Sequence, residues 1–262
     1  MRIKPELAGV PETALWTLWF RSIAAGGPEP ILLDPMAVEL VKRIDYPFEE
    51  RFGRQFPAHA QVQALRVLTF DREVKGFAQV VALGEGLETE FWRVDDGRVR
   101  WLTVDMPEMI SLREELLPHH ERIRTFAGSA LDPAWMDHVD ARSNVVITAQ
   151  GLLMYLQPEQ VHDLIVRCAR HFPGGAMVFD AVPPWMAGVI RKGTVGFTPP
   201  PLPWTLDPGR LQELKRLDPA IARVDDVKPV RGTGLGGVLA RVVRYVPVLR
   251  RQRPLIVKLS FA

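Results

Sequence analysis

The sequence has few features that would indicate disulfides, a metal site or a membrane segment. It has a single cysteine, Cys168, which excludes an intrachain disulfide. Its six histidines do not fall into a Cys/His ligand pattern, and we expect no metal site. No apolar run approaches the ~20 residues that span a bilayer, and no apolar signal core follows the basic N-terminus. We therefore expect a cytoplasmic protein that does not bind a membrane.

The charge balance and the length indicate an ordinary globular protein. The 33 basic and 31 acidic residues leave a formal net charge of +2, which gives no electrostatic reason to expect nucleic acid as a partner. Hydrophobic residues make up 47% of the 262 residues, a normal fraction for a chain with its own core. One large α/β unit accounts for this length and composition.

The first part of the chain is predicted to be helical. Asp34 has the character of an N-cap, and Pro35 would occupy the first position of the helix that follows. Helical patterns cover residues 11–25, 35–44 and 59–77. In the first of these, apolar residues occupy every side, which is typical of a helix that is deeply buried or covers something.

From residue 78 onward, strand patterns alternate with helical patterns. The strand patterns cover residues 78–83, 99–104, 123–127, 144–148 and 176–180. The helical patterns cover residues 89–94, 107–117, 134–139 and 158–171. This order predicts a parallel, doubly wound sheet. We expect residues 1–77 to form a helical N-terminal cover on an α/β domain of residues 78–262, in one structural unit.

The pattern loosens after Asp180. Prolines at 183–184 and in the stretch 199–203 indicate a long irregular connection that ends near Asp207. The remaining predicted elements are a helix over 207–217, a strand over 221–227, a helix over 235–246 and a strand over 255–261. Arg241 and Arg244 would lie on the solvated face of the 235–246 helix, opposite its apolar side.

The most informative segment is the one in which residues 80–83, all apolar, lead directly into Gly84-Glu85-Gly86. Two glycines in a tight turn after a buried strand let the backbone approach a ligand closely. Asp105 ends a second strand pattern 21 residues after Gly84. This spacing is typical of a nucleotide-type cofactor whose ribose hydroxyls bind a carboxylate.

The residues around this motif discriminate among cofactors. A nicotinamide or flavin site favours glycine or alanine at the third position, where this chain has Thr89, and no phosphate-binding P-loop is present. S-adenosylmethionine has no pyrophosphate and does not need the third glycine. Its amino-acid part would meet the glycine turn, its ribose would meet Asp105, and residues 129–132 would supply an apolar slot for its adenine. A nicotinamide-dependent oxidoreductase remains the alternative.

Several motifs together resemble those of a known family. They are Gly84-Glu85-Gly86-Leu87-Glu88-Thr89, residues 101–107, residues 130–135 and Gln150-Gly151-Leu152-Leu153-Met154-Tyr155-Leu156. In this order they resemble the leucine carboxyl methyltransferase-like family of S-adenosylmethionine-dependent O-methyltransferases, in its bacterial branch with the tetracenomycin-type polyketide enzymes. The resemblance covers essentially the whole chain. It implies a class I methyltransferase fold, a seven-stranded, mostly parallel Rossmann-like sheet.

The resemblance also assigns roles to individual residues. Arg66 would pair with the methionine carboxylate of the cofactor, and Gln150 would lie beside its amino group. Gly84 and Gly86 would form the turn, Asp105 would bind the ribose, and Ala130 and Leu131 would line the adenine slot.

Two positions differ from the pattern of the wider family. That family often has an acidic residue at position 130, where this chain has alanine, and glutamate at position 150, where it has glutamine. Gln150 can still accept a hydrogen bond, but it lacks the charge that complements an ammonium group. Glu85 either replaces that charge or points to solvent. The substitution at position 150 also leaves open a catalytically silent protein that binds the cofactor.

The expected acceptor is a small molecule, such as a polyketide-type metabolite, that offers a carboxylate or a phenolic hydroxyl. The candidate residues for contact with it are Trp16, Tyr155, Trp185 and Trp204. A carboxylate is already ionised at neutral pH, whereas a phenol has a pKa near 10 and would gain from a base. The sequence shows no motif for such a base, and this favours carboxyl methylation.

Overall fold

The computed structural model describes residues 2–27, 30–53, 57–192, 197–230 and 253–262. Within them lies a seven-stranded sheet of order β3-β2-β1-β4-β5-β7-β6. The strands are β1 (Gln79–Leu83), β2 (Arg100–Asp105), β3 (Ile123–Ala127), β4 (Val145–Ala149), β5 (Ala176–Ala181), β6 (Ile221–Asp226) and β7 (Leu255–Phe261). Among these strands, β7 runs antiparallel to both of its neighbours, β5 and β6, and every other pairing is parallel. The predicted doubly wound, mostly parallel sheet is confirmed.

The central strands form because their residues are apolar on both faces. All residues of β1, β4 and β5 are buried, as expected of parallel strands that helices cover on both sides. Ala82 of β1 lies opposite Thr103 of β2 and Thr148 of β4. The loops that follow β1, β2 and β4 therefore start side by side at the carboxyl edge of the sheet.

Four helices precede the sheet in the chain. They are α1 (Thr13–Ala25), α2 (Pro35–Arg43), α3 (Phe48–Phe52) and α4 (Pro57–Glu73). The predicted cap of α2 is confirmed, since the Asp34 carboxylate accepts a hydrogen bond from the Ala37 backbone N–H at 3.0 Å. The short helix α3 has no counterpart among the predicted elements.

The later helices are α5 (Glu90–Val94), α6 (Pro107–Leu116), α7 (Pro158–His171) and α8 (Pro184–Ile190). Three 3-10 helices cover Pro133–His138, Leu153–Tyr155 and Pro208–Arg216. The predicted helix over 158–171 is confirmed, and the apolar residues on one of its faces are buried: Val161, Leu164, Ile165, Cys168 and, just after the helix, Phe172. Helix α8 corrects the prediction of a wholly irregular connection after Asp180. The predicted helix over residues 235–246, with Arg241 and Arg244, lies outside the described residues.

The core has a layer on each face of the sheet and a third part beneath the N-terminal helices. In that third part, Leu15 and Leu18 of α1 pack with Met109 and Leu112 of α6 and with Phe197. This packing fixes α1 near the carboxyl ends of β1 and β2. Within the described ranges, no helix is both long enough and apolar enough to cross a membrane.

Candidate functional site

The glycine turn after β1 has a backbone that other residues could not readily adopt. Gly84 and Gly86 have φ angles of +60° and +56°, values that L side chains rarely take. A Cβ on Gly84 would lie 2.8 Å from Leu152 Cδ1, and one on Gly86 would lie 2.9 Å from Ala14 Cβ. The turn is therefore held between the loop after β4 and helix α1.

Asp105, the last residue of β2, is fixed beside this turn. Its Oδ2 accepts a hydrogen bond from the Gly86 N–H at 2.7 Å, and its Oδ1 accepts one from the Met106 N–H at 2.8 Å. It does not cap α6, whose N-cap position is Met106. Burial raises the pKa of Asp105 above its ordinary value. Its free lone pairs can accept hydrogen bonds from two neighbouring hydroxyls.

Glu85, between the two glycines, points into the protein. Its Oε2 accepts a hydrogen bond from the Thr103 hydroxyl at 2.5 Å and lies 3.0 Å from Nη2 of Arg113. Burial raises the pKa of Glu85, against the opposing effect of Arg113. Of the two alternatives for Glu85, the one in which it points to solvent is wrong, because the guanidinium and the hydroxyl hold its carboxylate inside.

Arg113 also stabilises the turn directly. Its Nη1 donates to the backbone oxygen of Gly86 at 2.6 Å and to that of Glu88 at 3.0 Å. Since Arg113 lies on α6, one side chain ties the helix after β2 to the turn after β1. The sequence gives only a weak sign of this, an arginine among the apolar residues of α6.

Gln150, directly after β4, lies opposite the turn. Its Nε2 donates to Oε1 of Glu88 at 3.4 Å. Its Oε1 is shielded from water and has no hydrogen-bond donor among the described residues. A buried acceptor without a donor is unfavourable, so this atom is suited to a ligand that donates.

Arg66, on α4, reaches the same edge and is paired there. Its Nε donates to Oδ2 of Asp180, at the end of β5, at 2.8 Å. The other oxygen of Asp180 accepts from the Gly151 N–H at 2.6 Å. Gly151 has a φ of +74°, and a Cβ there would lie 2.9 Å from Nη2 of Arg66. The guanidinium thus lies against the backbone that follows Gln150. It is oriented by the Asp180 carboxylate, for which the sequence predicted no role.

The predicted adenine loop lies beside Asp105. The Gly128 N–H donates to the Asp105 backbone oxygen at 2.8 Å, which places the loop after β3 next to the end of β2. Trp135 Nε1 donates to the Ala130 oxygen at 3.0 Å, and Arg167 Nη1 donates to the Leu131 oxygen at 2.7 Å. Met106, for which the sequence predicted no role, follows Asp105 with 42% of its surface exposed.

The four aromatic candidates have different environments. Trp16 packs against Phe197 and is partly buried. Tyr155 follows the Gln150 loop, and burial, with a further contribution from Asp180, raises the pKa of its phenol. Trp204 is only 4% exposed and packs edge-to-face on a core phenylalanine, which favours a packing role. Trp185 lies on α8 with 48% of its surface exposed.

A buried ionic cluster joins this site to the N-terminal helices. Arg21 of α1 donates to Asp34 at 2.9 Å and to Glu88 at 3.0 Å, and Arg93 of α5 pairs with both of them and with Asp71. Sequence reasoning missed this cluster. The available signal was Arg21, the single charged residue in α1.

Comparisons with known proteins cover the part of the chain that carries this site. The leucine carboxyl methyltransferase family model matches residues 14–169, which run from α1 into α7 and include every predicted cofactor residue. The tetracenomycin polyketide synthesis O-methyltransferase TcmP of Streptomyces glaucescens is 34% identical over 187 residues, 69% of this chain and 68% of that protein. The S-adenosyl-L-methionine-dependent methyltransferase dpfgK of Gibberella zeae is 28% identical over 203 residues, 68% of each chain.

A solved structure shows that the fold is shared. A protein of Thermobifida fusca described as a methyltransferase superposes with a TM-score of 0.54 at 16% identity, over 94% of both chains. The sheet is therefore that of the class I methyltransferases, and the oxidoreductase alternative has no support. The chain belongs to the leucine carboxyl methyltransferase family and is an S-adenosylmethionine-dependent methyltransferase.

Proposed function

We propose that this enzyme transfers the methyl group of S-adenosylmethionine to a carboxylate oxygen of a small, aromatic, polyketide-type acid. The observation that supports the site most directly is the convergence of three features at one sheet edge. These are the glycine turn, the Asp105 carboxylate and the Gln150 Oε1 that lacks a donor. The tetracenomycin enzyme, to which the chain is similar, suggests the polyketide class of acceptor.

The residues at this edge fit the parts of S-adenosylmethionine. The glycine backbone would accommodate the amino-acid part where the neighbouring Leu152 and Ala14 leave no room for a Cβ. Asp105 would bind the ribose hydroxyls, and the exposed Met106 would contact the adenine together with Ala130 and Leu131. When bound, S-adenosylmethionine supplies an activated methyl group whose transfer leaves a neutral thioether, so the leaving group needs neither a metal nor a general acid.

Arg66 and Gln150 would hold the two charged groups of the methionine part. The guanidinium of Arg66 would pair with the carboxylate, and the pairing with Asp180 fixes its orientation in advance. Gln150 Oε1 would accept from the ammonium, which supplies the donor that this buried atom lacks.

The acid–base groups at this edge favour a carboxylate acceptor. Each of the four carboxylates described there already has a partner: Glu85, Glu88, Asp105 and Asp180. The raised pKa of Tyr155 keeps its phenol protonated at neutral pH. A carboxylate acceptor is already ionised and needs no base, whereas a phenol would need one of these groups to be released.

Catalysis then depends on alignment and on the exclusion of water. Two reacting groups held about 3–3.5 Å apart in a dry site account for roughly 7–11 kcal/mol of barrier reduction. Residues 1–77 would provide the cover over the domain of residues 78–262, with Trp16 on its inner side. The exposed Trp185 on α8 would line the entrance for the acceptor, and Trp204 would support it from the core.

The direct test is methyl transfer from labelled S-adenosylmethionine to a matched panel of aromatic polyketide acids and phenols. We expect label in products that mild base hydrolyses with release of methanol, as methyl esters do. Label that resists base would identify an ether and so a phenolic acceptor, contrary to the proposal. Binding of S-adenosylhomocysteine without transfer to any panel member would instead indicate a silent protein. Asp105→Ala, which lacks the proposed ribose ligand, is the negative control.

A further inference from the structure

Glu88 lies where it can act on the cofactor through Gln150. Glu88 follows the glycine turn at the end of β1, and Gln150 follows β4. These two strands, β1 and β4, are hydrogen-bonded neighbours. Oε1 of Glu88 receives the Gln150 Nε2–H at 3.4 Å, while its Oε2 accepts from Arg21 at 3.0 Å and Arg93 at 3.1 Å. Both ends of the Glu88 carboxylate are thus used, one by arginines and one by the amide.

This contact determines which way the amide of Gln150 points. An ionised carboxylate can only accept hydrogen bonds, so the NH₂ group must face Glu88 and the carbonyl oxygen must face away. That oxygen is the buried atom that finds no donor in the described part of the chain. Glu88 therefore presents Gln150 as an acceptor with its position already fixed.

The cluster around Glu88 also carries surplus negative charge. Its described ion pairs use two guanidiniums, Arg21 and Arg93, whereas four buried carboxyl groups lie in it: Asp34, Asp71, Glu88 and Glu90. Burial, followed by the proximity of Asp71, raises the pKa of Glu90 well above its ordinary value. Even without Glu90, three carboxyl groups, those of Asp34, Asp71 and Glu88, face two guanidiniums. An added cation next to Gln150 would balance the cluster.

We propose that Glu88 and Gln150 together form the recognition site for the cofactor ammonium, with Gln150 as its ligand and Glu88 as the positioning residue. Glu88 orients the amide and supplies the negative charge that a glutamine at position 150 cannot carry. This proposal rests on the proposed function. It replaces the alternative in which Glu85 compensates, since Glu85 is paired with Arg113.

The test measures binding rather than turnover. Isothermal titration compares S-adenosylhomocysteine with the analogue in which hydrogen replaces its amino group. We expect Glu88→Gln to weaken S-adenosylhomocysteine binding about tenfold or more and to leave the analogue within about twofold. The exchanged variant Glu88→Gln/Gln150→Glu, which moves the charge to position 150, should restore binding. Gln150→Glu alone should not gain affinity, because two carboxylates would then face each other.

The control is Asp71→Asn, which removes one charge from the same cluster without touching Gln150. It should weaken S-adenosylhomocysteine binding much less than Glu88→Gln does. Equal losses in the two variants, or equal losses for both ligands, would overturn the proposal and leave Glu88 a structural role.

Two further measurements keep the outcome decisive. If Glu88→Gln does not fold, Gln150→Leu takes its place, and an unchanged preference for the amino group in that variant refutes the proposal. Wild-type protein that binds neither ligand would contradict the proposed function itself. Wild-type protein that binds both ligands equally would contradict the ammonium site alone.

Discussion

Replacing Gly86 with alanine should destabilise the protein through two separable effects. Gly86 has a φ of +56°, and an L-residue there costs roughly 1–2 kcal/mol. The new Cβ would also lie 2.9 Å from Ala14 Cβ. Neither alanine side chain can relieve this contact by changing its rotamer. Overpacking of this kind costs about 1–3 kcal/mol, so the free energy of unfolding should fall by roughly 2–5 kcal/mol.

The two effects can be measured apart by urea unfolding followed through tryptophan fluorescence. Gly97→Ala is the matched control, since Gly97 has a φ of +83° but no atom within 4 Å of an added Cβ. It should lose only the conformational part, about 1–2 kcal/mol. Ala14→Gly by itself lowers the free energy of unfolding by up to about 1 kcal/mol. Combined with Gly86→Ala, it should restore the part of the free energy of unfolding that Gly86→Ala loses to overpacking. If Gly86→Ala costs no more than Gly97→Ala, or if Ala14→Gly relieves nothing, α1 does not pack against the turn as described.

Two further predictions concern the site and the buried cluster. Asp105→Ala should lower S-adenosylhomocysteine affinity at least tenfold by calorimetry while the protein stays folded. Unchanged affinity would remove Asp105 from the ribose role. Glu90→Gln should flatten the pH dependence of stability. Burial raises the pKa of Glu90, so between the ordinary and the raised pKa the folded protein keeps a proton that the unfolded chain releases. Over that range wild-type stability falls as pH rises, by up to about 1.4 kcal/mol per pH unit. Urea unfolding at a series of pH values from the ordinary glutamate pKa upward should show the variant gaining on wild type, and parallel profiles throughout would contradict the raised pKa of Glu90.

The order and type of most elements could be predicted because they depend on local pattern. The buried strands are short apolar runs, and α7 begins and ends at the residues that its periodicity predicts. Helices α3 and α8 were not predicted, because they are short and begin beside prolines, and prolines in a short segment are typical of loops. Sequence spacing also predicted that the glycine turn and Asp105 would meet, since parallel strands place their carboxyl ends at one edge.

The sequence by itself determined the sheet and the glycine turn, because each depends on residue type and on spacing along the chain. Spacing left a nicotinamide cofactor as an alternative, and the resemblance of the motifs to a methyltransferase family favoured S-adenosylmethionine. Only the tertiary structure decided the partners of the charged residues. Of three nearby acids, Glu85 pairs with Arg113, Glu88 with Arg21 and Arg93, and Glu90 has no described ion pair. These pairings depend on arginines from three different helices. A buried charge is stable only where the packed fold brings an opposite charge to it, and no local pattern encodes that distance.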